Sequence, residues 1–352
     1  MKTGKSLSEL AMEIDRQQKS KQDFIADTRT LELLASAGAA APLMLSFNST
    51  NLPLRQHAHN QIGERAGIPA KYYDRMAQDA PELLAHNVNH WFKQRPENRM
   101  VRVLDGHVRA FLSDRFARID NFDVASVAIP ILQEAGGLII RSCEITDSRL
   151  YIKATSTNVV AEVKGSKRVG DLVEAGIMIS NSEVGLGALS VKPFYNFLVC
   201  TNGMVRDSIM RSAHIGRKQD ASDAMLSDQT KKAEDTVVLM KLRDVLKTAM
   251  DAAAFQAAID LMSDQTRQFI KGDPVKAIQV LANASVMSQD ERSSVLRNLI
   301  QGGDLSRFGL MNAITRTAED VVSYDRATEL EAMGGRLLDL PANDWRMIAE
   351  AA

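Results

Sequence analysis

The sequence predicts an α+β protein, and three observations carry that prediction. Arg99–Leu104 and His107–Leu112 flank Asp105-Gly106, and an Asp-Gly pair between two β-like runs is the strongest short-range sign of a hairpin. Further strand-like runs recur through the middle third, at Leu138–Ile145, Leu150–Thr155, Val159–Val163, Ala175–Ile179 and Leu189–Cys200. From Asp223 onward the apolar spacing turns helical and stays so.

Taken in order, residues 5–40 keep a loose helical spacing of Leu7, Leu10 and Ile14, then Leu31, Leu33 and Leu34, and Ala35 to Pro42 reads as a small-residue linker. Residues 56–93 read as short helices punctuated by Gly63, Gly67, Pro69 and Pro81, with Pro69 suited to a first helical turn. Asn121–Glu134 is a helix capped by Asp120 or Asn121, with Pro130 as its weak point. Asp147-Ser148 turns a second hairpin. In the last third, breaks fall at Gly272-Asp-Pro274, Gly302-Gly303, Gly334-Gly335 and Pro341. Val237–Met262 is amphipathic, with Val238, Leu242, Val245, Ala249 and Ala252 near one stripe that packs on the chain's own domain or joins subunits. The stretch from Glu319, rich in acids, reads as a solvated helix face, with competition for a basic sheet as its functional alternative. Three units result: an N-terminal helical segment over 1–45, a strand-rich domain over 46–220, and a helical region over 221–352.

Hydrophobic content of 45% and charged content of 25% are ordinary globular values and exclude disorder of the whole chain. With a net charge of −1, any nucleic-acid footprint is local. Cys143 and Cys200 lie in apolar stretches and read as buried thiols of a reducing compartment. Met1 to Lys21 has no apolar core, and no run reaches the ~18 apolar residues of a membrane span. The expected location is the cytoplasm.

A two-residue type I′ turn at Asp105-Gly106 sets a register in which Leu104 faces His107, Arg102 faces Arg109 and Met100 faces Phe111. One face, with Val101, Val103, Val108, Ala110 and Leu112, is a core face; the other carries Met100, Arg102, His107, Arg109 and Phe111. Two arginines directly opposite repel, so an anion is expected between them. Seven basic side chains fall within residues 93–118, among them Arg99, Arg115 and Arg118. An aromatic ring among arginines suits single-stranded DNA, with phosphates on guanidinium groups and bases on the ring. The alternative is an internal salt-bridge network with Asp114, Asp120 or the C-terminal acids. Two more basic clusters join the candidate surface or are plain solvated surface. One is Lys164, Lys167 and Arg168 in a glycine-flanked loop; the other is Arg206 and Arg211, with Arg217 and Lys218 beyond.

Other motifs fail on chemistry. Gly165-Ser-Lys-Arg-Val-Gly170 has Walker-like spacing, but Asp171-Leu172 stands where Lys-Ser/Thr is needed. Gly185-Leu-Gly187 is too short for a dinucleotide fingerprint. His57-Ala-His59 and His86/His90 lack the glutamate of a zincin, and no metal or cofactor is expected. Asp147, Glu162 and Lys164 faintly match the two carboxylates and lysine of magnesium-dependent nucleases, a pattern common by chance.

Val108-Arg-Ala-Phe-Leu-Ser-Asp-Arg-Phe116, Asn181-Ser-Glu-Val-Gly185, Val199-Cys-Thr-Asn-Gly-Met204 and Ser323-Tyr-Asp-Arg-Ala327 resemble, in order, motifs of the phage/plasmid-like proteins of the "domain of unknown function nine-thirty-two" family. The resemblance spans about residues 45–335 and implies a protein of a mobile element in a bacterial cytoplasm. The succession of hairpin, helix and further strands is similar in architecture to single-strand annealing proteins of the Rad-fifty-two type, an analogy that transfers no site residue. The expected function is single-stranded DNA binding and annealing by a homo-oligomer, in recombination or repair, without nucleotide or metal. The alternatives are a metal-dependent nuclease and a non-enzymatic protein that engages a host factor through its helices.

Overall fold

Asp105 and Gly106 take φ of 53° and 72°, and two successive positive φ values are the type I′ geometry that matches strand twist. They join β5 (Asn98–Leu104) to β6 (His107–Ser113). The computed structural model describes residues 1–35, 42–167, 171–199, 202–207, 210–212, 228–248 and 251–351. It is an α+β protein, as the patterning predicts, built on antiparallel sheets.

The N-terminal segment departs from its expected helicity. After α1 (Leu7–Ser20), with a Ser6/Glu9 capping box, the chain forms β1 (Gln22–Asp27) and then β2 (Glu32–Leu34). β1 adds to the hairpin in the order β1-β5-β6, and β2 joins β3 (Met44–Phe47) and β4 (Thr50–Pro53). Tertiary pairing therefore decides the conformation of residues 22–34 over their loose helical spacing. It also ties residues 1–45 into sheets shared with the next unit. α2 (Gln56–Ala66), α3 (Ala70–Asp79) and α4 (Pro81–Gln94) close this part over Val101, Val103, Val108 and Phe111.

The large sheet runs β11-β10-β9-β8-β7, with β12 also on β10. Its strands are β7 (Leu138–Ile145), β8 (Leu150–Glu162), β9 (Leu172–Asn181), β10 (Leu189–Phe197), β11 (Gly203–Val205) and β12 (Met210–Ser212). The two strands expected at 150–155 and 159–163 are one, β8, whose register against β9 shifts between Thr155 and Val160. α1, α5 (Asn121–Glu134) and α6 (Asp228–Thr248) bury Ile152, Ile177 and Ile179. Leu242 of the amphipathic stripe belongs to that core, and Ala249 lies outside the described residues.

The C-terminal helices are α7 (Ala252–Gln265), α8 (Pro274–Ser285), α9 (Gln289–Gly302), α10 (Arg307–Asp320), α11 (Tyr324–Leu338) and α12 (Ala342–Ala349). They share one core with Val173, Ala175, Tyr195 and Phe197 of the sheet, so the core crosses the boundary expected near residue 220. Elsewhere Tyr151, Met178 and Phe194 pack on Tyr324 of α11. Lys153, fully buried, pairs there with Glu331 and lies 4.8 Å from the centre of the Tyr324 ring. Gly334-Gly335 does not break α11. A Cβ at Gly335 would stand 2.0 Å from the Val205 carbonyl oxygen, so the pair marks where helix and strand backbones meet. Cys143 is buried as expected, and burial holds its thiol up to about 11; Cys200 lies outside the described residues. No helix among the described residues is long and apolar enough to cross a membrane.

Candidate nucleic-acid interface

The hairpin pairs Leu104 with His107 and Val103 with Val108 as expected, then slips: Arg102 faces Ala110, not Arg109, and Phe111 faces Val101. Arg109 is the extra residue of a β-bulge. No expected register signal marked it. The slip places Phe111 with Val101 in the apolar core against Phe92, at 5.6 Å between ring centres. The remaining face of the hairpin carries Met100, Ala110 and Leu112 against Val184. Both faces of the hairpin are therefore covered, and neither is an open platform.

Arg102 is fully buried and Arg109 is 5% exposed. The ladder sets Asp23 opposite Arg102. Arg102 Nε and Nη2 donate to the two Asp23 oxygens at 3.0 and 2.8 Å, Nη2 also donates to Asp120 Oδ1 at 2.6 Å, and Nη1 donates to the Glu183 carbonyl at 2.9 Å. Burial alone would lower the Arg102 pKa; the charges of Asp120 and Asp23 and the Asp23 hydrogen bond outweigh it, and the pKa is raised. Burial likewise works against the Asp120 carboxylate, and Arg102 with Lys21 overcomes it, so that pKa is lowered. Arg109 Nη1 donates to Glu183 Oε2 at 2.7 Å, while Glu183 Oε1 accepts the Asn121 backbone N–H. The expected like-charged pair is thus answered within the chain. Asp120 is a partner the sequence offers close by, whereas Asp23 and Glu183 come from 79 and 74 residues away.

Phe111 is fully buried and unavailable to bases. Arg99 is half-buried, stacked over the Phe111 ring at 5.0 Å and donating to its carbonyl. These placements correct the expectation that Arg99, Arg102, Arg109 and Phe111 form a DNA face. His107, Arg115 and Arg118 are exposed. Arg206 is paired with Asp339 across the β11–α11 contact. Arg211 is placed only by its backbone, opposite Ser190, and Arg168, Arg217 and Lys218 lie outside the described residues.

The nuclease reading does not assemble. Asp147 sits in the turn before β8 and meets Arg55 at 2.7 Å, whereas Glu162 lies at the far end of that strand, roughly 30 Å away by the nine steps of β9 it pairs along, at ~3.3 Å per residue. His59 contacts the Tyr73 hydroxyl at 3.1 Å, and among the described residues no three His, Cys, Asp or Glu side chains gather as a metal site.

A cleft of about 450 Å³ opens between the β8–β9 loop and helices α9 and α10. Gly165, at φ 80°, presses that loop onto Thr266 beyond α7, and the backbone N–H of Lys164 donates to Ser263 Oγ at 3.0 Å. The loop thereby brings exposed Lys167 to the cleft, where Arg297 and Arg316, also exposed, line the helical walls. Lys167 donates only to the Gly303 carbonyl among its described contacts. Arg297 lies 3.6 Å from Asp320, and Arg316 3.9 Å from Glu319. Such long, exposed pairs are worth about 0–1 kcal/mol. Asp171, Asp304 and Asp320 also line the cleft. Each is engaged inside the chain: Asp171 accepts the Ser166 hydroxyl, Asp304 the Ser306 N–H, and Asp320 the Ser294 hydroxyl. Phe269, about half exposed, bridges Ser306 through its backbone, two residues along from Asp304. Arg297 and Arg316 escaped sequence reasoning because lone arginines on polar helix faces carry no local signal.

The four motifs that carry the family resemblance are junctions of the fold. Arg109 of the first holds Glu183 of the second, Asn202 of the third donates to Asn312 and Thr315 of α10, and Asp325 of the fourth accepts the Tyr151 hydroxyl at 2.8 Å. Compared with known proteins, the chain matches no family model, no curated protein and no solved structure.

Proposed function

We propose that this protein binds single-stranded DNA through the cleft between the β8–β9 loop and α9–α10, and that the hairpin serves as an internal frame. One observation supports the reading: three exposed cations from the β8–β9 loop, α9 and α10, Lys167, Arg297 and Arg316, line one open cleft, and the ion pairs of the two arginines are long and solvent-exposed. Phe269, half exposed and bridged through its backbone to Ser306, is an aromatic ring available to a base. The three aspartates in the walls cancel the formal charge, so binding is weak and salt-sensitive, in the range of roughly 10⁻⁴–10⁻⁶ M of non-specific complexes. On this reading the chain works without nucleotide or metal, anneals strands as a homo-oligomer, and belongs to a phage or plasmid resident in a bacterial cytoplasm.

The test is fluorescence anisotropy with a labelled single-stranded oligonucleotide titrated with salt. Three phosphate contacts give a log–log salt slope of about −2. The Lys167→Ala/Arg297→Ala/Arg316→Ala protein should lose the binding and the slope, while Arg118→Ala keeps both. No binding by the wild-type protein at low salt sinks the reading, and so does full binding by the triple variant.

A further inference from the structure

Arg102 and Arg109 use their guanidinium groups differently. The Nε–Nη2 edge of Arg102, with its two parallel N–H bonds, holds both oxygens of Asp23. In Arg109 only Nη1 is engaged, on Glu183. Its Nε and Nη2, both buried, donate to no protein atom among the described residues. That edge is the fork with which arginine receives an anion through two hydrogen bonds. Buried donors of a cation left without acceptors are costly.

Arg109 lines a small cavity of about 10 Å³, the room one water-sized species needs. α1 supplies part of its wall through Ile14, Gln17 and Gln18, and Lys21 just past its end adds to it; Asn121, Phe122 and Glu183 complete it. Lys21 of that wall is paired with Asp120, so Arg109, facing Glu183, is the cation of the cavity with donors to spare. Both oxygens of that carboxylate already accept, from Arg109 Nη1 and from the Asn121 N–H. Asp23 and Asp120 of the same network are likewise engaged, Asp23 by Arg102 and Asp120 by Arg102 and Lys21. A water in the fork needs acceptors for its own two hydrogens. Ile14 and Phe122 offer none; the side-chain oxygens of the wall belong to Gln17, Gln18, Asn121 and Glu183.

We propose that this cavity is a binding site for a small inorganic anion of chloride size, received by the Nε–Nη2 fork of Arg109 and covered by α1. The site is independent of the cleft proposed for DNA. An anion that binds only the folded chain raises its stability by mass action. Thermal unfolding is measured as sodium chloride replaces sodium gluconate, whose anion is too large, at constant ionic strength. The midpoint should rise with the logarithm of chloride concentration once the site fills, by about 2–4 °C at a large excess of chloride. Gln18→Glu puts a carboxylate in the wall without touching the Arg109–Glu183 pair, and should fold normally and lose the chloride response. Arg109→Lys, which lacks the fork, should lose it too. Crystals soaked in sodium bromide should show an anomalous peak at the Arg109 fork. A midpoint indifferent to chloride, or a bromide-soaked crystal with no peak there, overturns the site and leaves a water as the occupant.

Discussion

Asp23 stands directly across the β1–β5 ladder from Arg102, and both of its carboxylate oxygens accept from that guanidinium, at 3.0 and 2.8 Å. A strand added to the hairpin edge therefore supplies the charge that the hairpin lacks. Asp120 and the Glu183 carbonyl complete the shell, so removing the arginine leaves Asp23 without its partner and Asp120 with Lys21 alone, both largely buried.

Arg102→Met should accordingly cost about 3–5 kcal/mol of folding stability, the range for breaking a buried ion pair from one side. Urea denaturation measures it. A loss below about 1 kcal/mol would mean that the pair does not hold β1 to the hairpin.

Acid should weaken the contact between α9 and α11 through Glu291. Hydrogen bonds from Arg326 hold its carboxyl down to about 2, against an unfolded value of ~4.3. A lowered folded pKa stabilises fully above the unfolded pKa, and that contribution fades as pH falls through about 4 toward 2. Glu291→Gln keeps the capping-box pattern with Ser288 but loses the charge. Wild type and variant should differ in stability at neutral pH and converge as pH approaches 2. A constant difference across denaturation curves from pH 7 to 2 would contradict the linkage.

Two glycines near helix ends should respond oppositely to alanine. Gly335→Ala drives a Cβ into the Val205 carbonyl at 2.0 Å and should destabilise by about 1–3 kcal/mol through overpacking. Gly302, which ends α9 with nothing within 4 Å of a built Cβ, should tolerate alanine or gain up to about 1 kcal/mol. Thermal midpoints of the two variants decide it, and equal shifts would show that α11 can move off the strand.

Much of the fold is legible where local chemistry speaks. Asp105-Gly106 announces its turn, Asn121–Glu134 its helix, and Gly303 its helix end, each within a few residues. What escapes is decided at a distance. Residues 22–27 become a strand because a hairpin 71 or more residues later offers an edge. Gly334-Gly335 has the composition of a break but serves a close approach to β11. The arginine pair was visible as a charge problem, yet its answer came from Asp23 and Glu183, 79 and 74 residues away from their partners. The bulge at Arg109 removed the facing geometry on which the DNA face was built.

The Lys153–Glu331 pair has a consequence for how the chain is made. Its two members are 178 residues apart, and Tyr151 waits on Asp325 in the same way. Until α11 leaves the ribosome, the β8 surface holds an unanswered ammonium beside Phe194 and Met178, so translation runs well ahead of maturation. A nascent chain stalled between the sheet and the last helices is the form most prone to aggregate or to recruit a chaperone.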